Sequence, residues 1–176
     1  MNIKRIFWLS VYYGFARFLF PTHSCFIGKI GGKLRNACAK NLFKRCGKNI
    51  NIEYMAHFGK GQGIEIGDNS GIGIHCHVPN DIYIGDNVMM GPHCYIIDNI
   101  THNFDRLDIP MIEQGSTILK NRTIIGDDVW IGRQCLFTPC KQIGNHSIIA
   151  AGSVVCKNIP DNVIAGGNPI KIIRNR

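Results

Sequence analysis

IGDNSG at residues 66–71, IGDNVM at 84–89, IGDDVW at 125–130 and IGNHSI at 143–148 are four near-copies of one hexad. The first two start 18 residues apart, and so do the last two. The six-residue phase also runs between the copies. Apolar residues recur at Ile66, Ile72, Val78, Ile84, Met90 and Ile96, and again at Ile125, Ile131, Phe137, Ile143, Ile149 and Val155. Ahead of Ile66 the phase is shifted by two, through Ile52, Phe58 and Ile64. Four residues after each phased position stands a second inward candidate: Ser70, Cys76, Ile82, Val88 and Cys94, then Val129, Cys135, Lys141, Ser147, Ser153 and Ile159. A period of six fits neither a helix nor a plain strand; it fits a short strand plus a corner, repeated. Three hexads close one triangular coil, and successive coils stack as a solenoid. The glycine after each Ile is expected to supply the corner geometry, and the Asp or Asn beside it to cap the turn.

Composition agrees with one folded unit. The 176 residues are 45% hydrophobic and 18% charged, which argues against disorder. No apolar run reaches the roughly 18 residues that span a bilayer. The net charge of +8 is unevenly placed: residues 1–50 hold ten Lys and Arg and no acid, and the remainder is close to neutral. A basic body would point to nucleic acid; a basic arm on a near-neutral body points to an anionic membrane surface, and no nucleic-acid partner is expected. Eight cysteines without a C-x-x-C, and no recognisable leader peptide, read as reduced thiols in the cytoplasm. Cys76, Cys94 and Cys135 share the inward slot and read as small buried fillers.

The closing stretch IIAAGSVVCKNIPDNVIAGGNP (148–169) with IKIIR (170–174), together with IGDDVWIG (125–132), resembles the hexapeptide-repeat acyltransferases, closest to the maltose, galactoside and capsular-polysaccharide O-acetyltransferases. The likeness covers about residues 50–176. It implies a left-handed parallel β-helix (49–176), acetyl-CoA as co-substrate with no metal, a carbohydrate acceptor, and a homotrimer with each site between two subunits; residues 1–48 are read from their own pattern as a helical arm in front of it. By the same resemblance, Trp130 packs near the cofactor at the subunit contact, Ala151 and Lys157 line the pantetheine and phosphate path, and Lys171 and Arg174 meet the adenosine phosphates. Arg133 and Cys156 depart from the pattern; Arg133 is placed to meet a phosphate or an acidic acceptor, or to crowd the cleft.

The solenoid phase breaks between Ile96 and Ile125, so an excursion near 97–124 leaves the coil. Long loops on a rigid scaffold carry function. This one contains THNFD (101–105), which resembles the family's catalytic-histidine setting with Asn103 where many relatives have Pro. A base with a pKa near neutrality takes the hydroxyl proton as that hydroxyl attacks a thioester. His102 is that candidate, with Asp105 and Glu113 as partner acids; Asn80, Asp81 and Arg106 are guesses for acceptor contacts. Alternatives are an amino sugar, serine or xenobiotic acceptor; a γ-carbonic-anhydrase-like zinc enzyme, suggested by His75 and His93 stacking at equivalent corners near His57 and His77; and a non-catalytic scaffold.

In the arm, residues 3–20 are apolar nearly all round, with Ser10, Gly14 and Arg17 as a polar stripe and Pro21 as the stop. A second helix is expected from about Lys29 to Arg45, with Ile30, Leu34, Cys38 and Leu42 on one face and lysines beside it. Two roles fit residues 3–45: peripheral contact with the inner face of the membrane, or packing on the β-helix or between subunits.

Overall fold

The computed structural model describes residues 2–24 and 26–176. In it the chain winds six coils of short strands about one apolar core. One face of the prism stacks Arg45–Cys46, Glu65–Ile66, Tyr83–Ile84, Ile124–Ile125 and Gln142–Ile143 in parallel. A second stacks Met89–Met90, Trp130–Ile131, Ile148–Ile149 and Val163–Gly166, preceded by Asn51–Ile52 paired with Gly71–Ile72. The third stacks Tyr95–Ile96, Leu136–Phe137 and Val154–Val155, extended through bridges at His77 and His57. The solenoid thus begins at Arg45, inside the segment assigned to the arm.

Two register changes frame the repeat. Arg45 pairs with Glu65 while Glu65 pairs with Tyr83, so the first coil is two residues longer than the next. The extra residues form the turn at Gly59 and Gly61, both at positive φ. The last coil is shorter: Ile159 pairs with Ile143, so it sits in the strand slot instead of the slot after the corner.

The phased apolar residues are buried, Met90 alone being partly exposed, and each contributes about 1.5–3 kcal/mol on leaving water. The second slot also points inward, and Ser70, Cys76 and Ser147 donate from it to carbonyls of the neighbouring coil. Ser70 Oγ lies 2.6 Å from the Gly85 oxygen, Cys76 Sγ 3.1 Å from that of Gly91, and Ser147 Oγ 2.8 Å from that of Pro160. Lys141 is half-exposed, and Thr123 fills the equivalent slot one coil earlier.

Corner geometry belongs to other residues than the repeat glycines. The left-handed conformation falls three residues after each strand apolar, at Asn69, His75, Asn87, His93, Asp128, Gln134 and His146 among others. Asn, Asp and His tolerate it best. The repeat glycines make room: a Cβ on Gly85 would overlap the Asp127 carboxylate and come within 2.8 Å of the Gly126 carbonyl carbon. Nor do the adjacent acids cap their own turns. Asp68 accepts from the Lys48 N–H, Asp86 from Asp68, Asp127 from Asp86, Asn145 from Asp127 and Asp161 from Asn145, at 2.7–2.8 Å, a ladder that ties each coil to the one before it.

The arm packs on the first coil. Helix α1 runs Ile3–Gly14 and ends at Phe15, well before Pro21; a single 3-10 turn, Ala16–Phe18, follows. Helix α2 runs Phe26–Leu42. Its buried face is Gly28, Gly31, Gly32, Arg35, Cys38, Ala39 and Leu42, so Ile30 lies outside it and is half-exposed. The small residues let the Pro21 and Phe20 backbone and the Thr22 side chain approach the helix, and they clear a channel for Arg35. Its guanidinium, fully buried, donates to the carbonyls of Ile52 (2.7 Å) and Leu19 (2.9 Å) and to Thr22 Oγ1 (3.0 Å), and lies 3.7 Å from the Glu53 carboxylate. Asn36 donates to the Ile50 carbonyl and accepts from the Ile52 N–H. Tyr12, also fully buried, donates to the Ala56 carbonyl. No helix among the described residues is long and apolar enough to cross a membrane.

Candidate functional site

The excursion leaves the prism after Ile96 and returns at Ile124 without disturbing the stack, because Ile124–Ile125 pairs directly with Tyr83–Ile84. It is built on a short antiparallel hairpin, Ile100–His102 with Ser116–Ile118. Asn99 anchors its base, donating to Asp81 (3.0 Å) and receiving the Leu119 N–H at its carbonyl (2.7 Å). Burial raises the Asp81 carboxyl above its ordinary range. Asn103, at the position where the resemblance implies proline, is held by three hydrogen bonds. Its N–H donates to the Gly115 carbonyl, its Nδ2 to the Gln114 carbonyl, and its Oδ1 accepts from Thr117. Proline has no N–H and could form none of these bonds.

His102 is exposed on this hairpin, opposite Ser116. Among the described residues no carboxylate hydrogen-bonds its imidazole, Asp105 and Glu113 included. Those two instead line a cavity of about 300 Å³ within the excursion, with Asn103, Arg106, Ile109 and Gln114. Arg106 is held by Asp108, and Asn80 Oδ1 accepts from the Gln62 N–H. The excursion also exposes Phe104, Leu107, Met111 and Ile112.

The residues expected on the cofactor side lie around the C-terminal coils. Trp130, half-exposed on the second face, stands in register with Ile148, Ile164 and Arg174. Arg174 and Lys171 are on the closing strand Lys171–Asn175, antiparallel to Val163–Gly166. Three strand spacings put Arg174 roughly 14 Å from Trp130. Arg133 and Ala151 sit on adjacent coils at one corner, where the Gly152 N–H donates to the Arg133 carbonyl (2.8 Å). Lys157 is at a different corner, between the third face and Ile159 of the first. One chain therefore gathers Trp130, Lys171 and Arg174 on one face and Arg133 with Ala151 at its border, and leaves Lys157 apart. All four cations are exposed, and none forms an ion pair among the described residues. They are free for a polyanion, whereas Arg176 beside them is tied to Asp128.

Four of the remaining histidines form columns. His75 and His93 stack at 5.0 Å, and His57, His77 and Tyr95 stack at 4.5 and 4.4 Å. Burial, then the charge of His77, holds His57 below the usual imidazole range, and burial does the same at His77. Among the described residues no group of three His, Cys, Asp or Glu could hold a metal ion. All three inward cysteines are buried away from any substrate, and the Cys94 thiol and burial push Cys135 well above the usual thiol range. Sequence reasoning missed Asn99 and Asp81 as the hinge pins of the excursion; their 18-residue separation, one coil, was the available signal.

Comparison with known proteins agrees with this geometry. Residues 63–98 and 122–157 match the family model for the bacterial transferase hexapeptide (six repeats), on either side of the excursion. The galactoside O-acetyltransferase of Escherichia coli K12 is 33% identical over 140 residues, 80% of this chain and 68% of that protein. A putative acetyltransferase of Saccharomyces cerevisiae is 58% identical over 50 residues, only 28% of this chain and 26% of its own length. Among solved structures, a galactoside acetyltransferase in complex with coenzyme A superposes with a TM-score of 0.77 at 30% identity, covering 98% of this chain and 80% of that one. A repeat that continues unbroken across a histidine-bearing excursion, the match to the hexapeptide family model, and a galactoside O-acetyltransferase 33% identical over 68% of its length place this chain in the hexapeptide-repeat acetyltransferase family.

Proposed function

We propose that this acetyltransferase carries the acetyl group of acetyl-CoA to a hydroxyl of a carbohydrate, a capsular or cell-surface polysaccharide unit, in the cytoplasm. The observation that supports this most is the exposed His102, held on a hairpin that the fold does not need. The imidazole takes the acceptor's hydroxyl proton as the oxygen attacks the thioester carbonyl. The tetrahedral oxyanion collapses, the C–S bond breaks, and the thiolate leaves with the proton returned from His102. The step needs no acyl-enzyme. Lys157, Lys171, Arg174 and Arg133 meet the phosphates of CoA, while Trp130 and Ala151 flank its pantetheine arm. The separation of Lys157 from the Trp130 face within one chain fits a site completed by a neighbouring copy in a homotrimer.

Thiol release from acetyl-CoA across a panel of sugars, wild type against His102→Ala, tests this. Sugar-dependent release that falls about 10²–10⁴-fold in the variant supports His102 as the base. Equal release in both proteins removes it from the mechanism.

A further inference from the structure

We propose that the outer side of the arm docks on an anionic lipid surface. The inner side is already engaged: Tyr12, Cys38 and Leu42 belong to the solenoid's core, and Arg35 is buried against the Ile52 and Leu19 carbonyls. The outer side is apolar and cationic together. Phe26, Lys29, Ile30 and Lys33 follow one another at i, i+3, i+4 and i+7 on α2, which makes one exposed stripe, with Ile27 exposed beside Phe26 one turn before Ile30. Phe20 is held against the same part of the helix, its carbonyl oxygen 3.5 Å from where a Cβ on Gly31 would stand, and its side chain is exposed.

Charge selects the occupant. The arm carries ten cations and no acid. Lys29 and Lys33 pair with no acidic side chain among the described residues. A second copy of so uniform a segment would be repelled. A surface that is negative in its headgroups and apolar beneath them satisfies both halves of the stripe. Phenylalanines enter the headgroup boundary while the lysines remain at the phosphates.

The test is sedimentation of the whole chain with vesicles of phosphatidylcholine containing phosphatidylserine, against pure phosphatidylcholine vesicles. The expected result is binding to the anionic vesicles only, weakened by added salt. Each lysine near such a surface is worth about fivefold in partitioning, so Lys29→Gln with Lys33→Gln lowers binding roughly twenty- to thirtyfold. Phe26→Ser with Ile27→Ser lowers it too. All four positions are exposed, so thermal melting and thiol release from acetyl-CoA stay at wild-type values. Three results would overturn the proposal: no binding to anionic vesicles, binding that both double variants retain, or concentration-dependent self-association without lipid that Phe26→Ser with Ile27→Ser abolishes. Because thiol release is read separately, a failure here is distinct from a failure of the transferase reading.

Discussion

Replacing Arg35 by methionine should unfasten the arm. The guanidinium is fully buried and bonds to the Ile52 and Leu19 carbonyls and to Thr22, close to the Glu53 carboxylate. Methionine fills much of the channel but donates nothing. Breaking a buried pair by removing one partner costs about 3–5 kcal/mol. Glu53 keeps the Thr22 and Tyr54 N–H groups and the Asn51 amide, which places the expected loss near the lower end, about 3 kcal/mol. With a urea slope of about 2 kcal/mol/M, the midpoint falls by about 1.5 M. Trp8 on α1 reports the change directly in a Trp130→Phe background, and circular dichroism follows the solenoid separately. A midpoint shift below about 0.5 M would refute the view of Arg35 as the clamp. The same clamp is pH-dependent. Burial alone would raise the Glu53 carboxyl, but its bonds from Thr22, Asn51 and Tyr54 outweigh that and hold it below the ordinary value of 4.5. A depressed carboxylate contributes stability that is complete above its unfolded pKa and is lost as pH falls through the folded one. The arm should therefore loosen only below about pH 4.5, and Glu53→Gln should flatten that dependence.

Other perturbations separate fold from chemistry. Lys171→Ala and Arg174→Ala should each raise the KM for acetyl-CoA about tenfold or more with kcat little changed, as expected for charge-assisted bonds to phosphate; steady-state kinetics at two salt concentrations check this. Gly85→Ala forces a Cβ against Asp127 and the Gly126 backbone and should cost about 1–3 kcal/mol by thermal melting, while Gly14→Ala, which meets nothing within 4 Å, should be neutral or mildly stabilising. Excising residues 99–122 and joining the ends with a short linker should leave the solenoid folded by circular dichroism, because its strands already pair across that gap, and abolish thiol release.

The hexad made the coil legible because one residue in six must be a buried aliphatic, and Ile66 through Val155 repeat that demand. The same period hid the division of labour at the corners. Gly67 and Asn69 both look like turn formers, yet Asn69 takes the positive φ and Gly67 yields space to the Asp86 side chain. Contacts between coils are long-range, so the Asp68–Asp86–Asp127 ladder could not be read from any local window. The buried face of α2 was hard to place for a related reason. It is marked by glycines and an arginine, which score as polar, although Gly28, Gly31, Arg35, Cys38 and Leu42 trace a helical stripe that a search for small residues would have found. The excursion and His102 were legible as a broken phase; how the cofactor-side residues distribute over faces and corners required the coil register.

A parallel solenoid has no intrinsic last member. Its terminal strands present the unpaired N–H and carbonyl groups that would template another chain, end upon end, into a fibre. In this molecule both edges are stopped by different means. The Asn36 amide imitates one residue of an absent preceding strand, giving and taking a bond with Ile50 and Ile52. At the far end the chain reverses, and Lys171–Asn175 covers Val163–Gly166 in the antiparallel sense, which no further parallel coil can continue. The two stoppers cap the stack of coils, and loss of either would expose a strand edge able to pair with another chain.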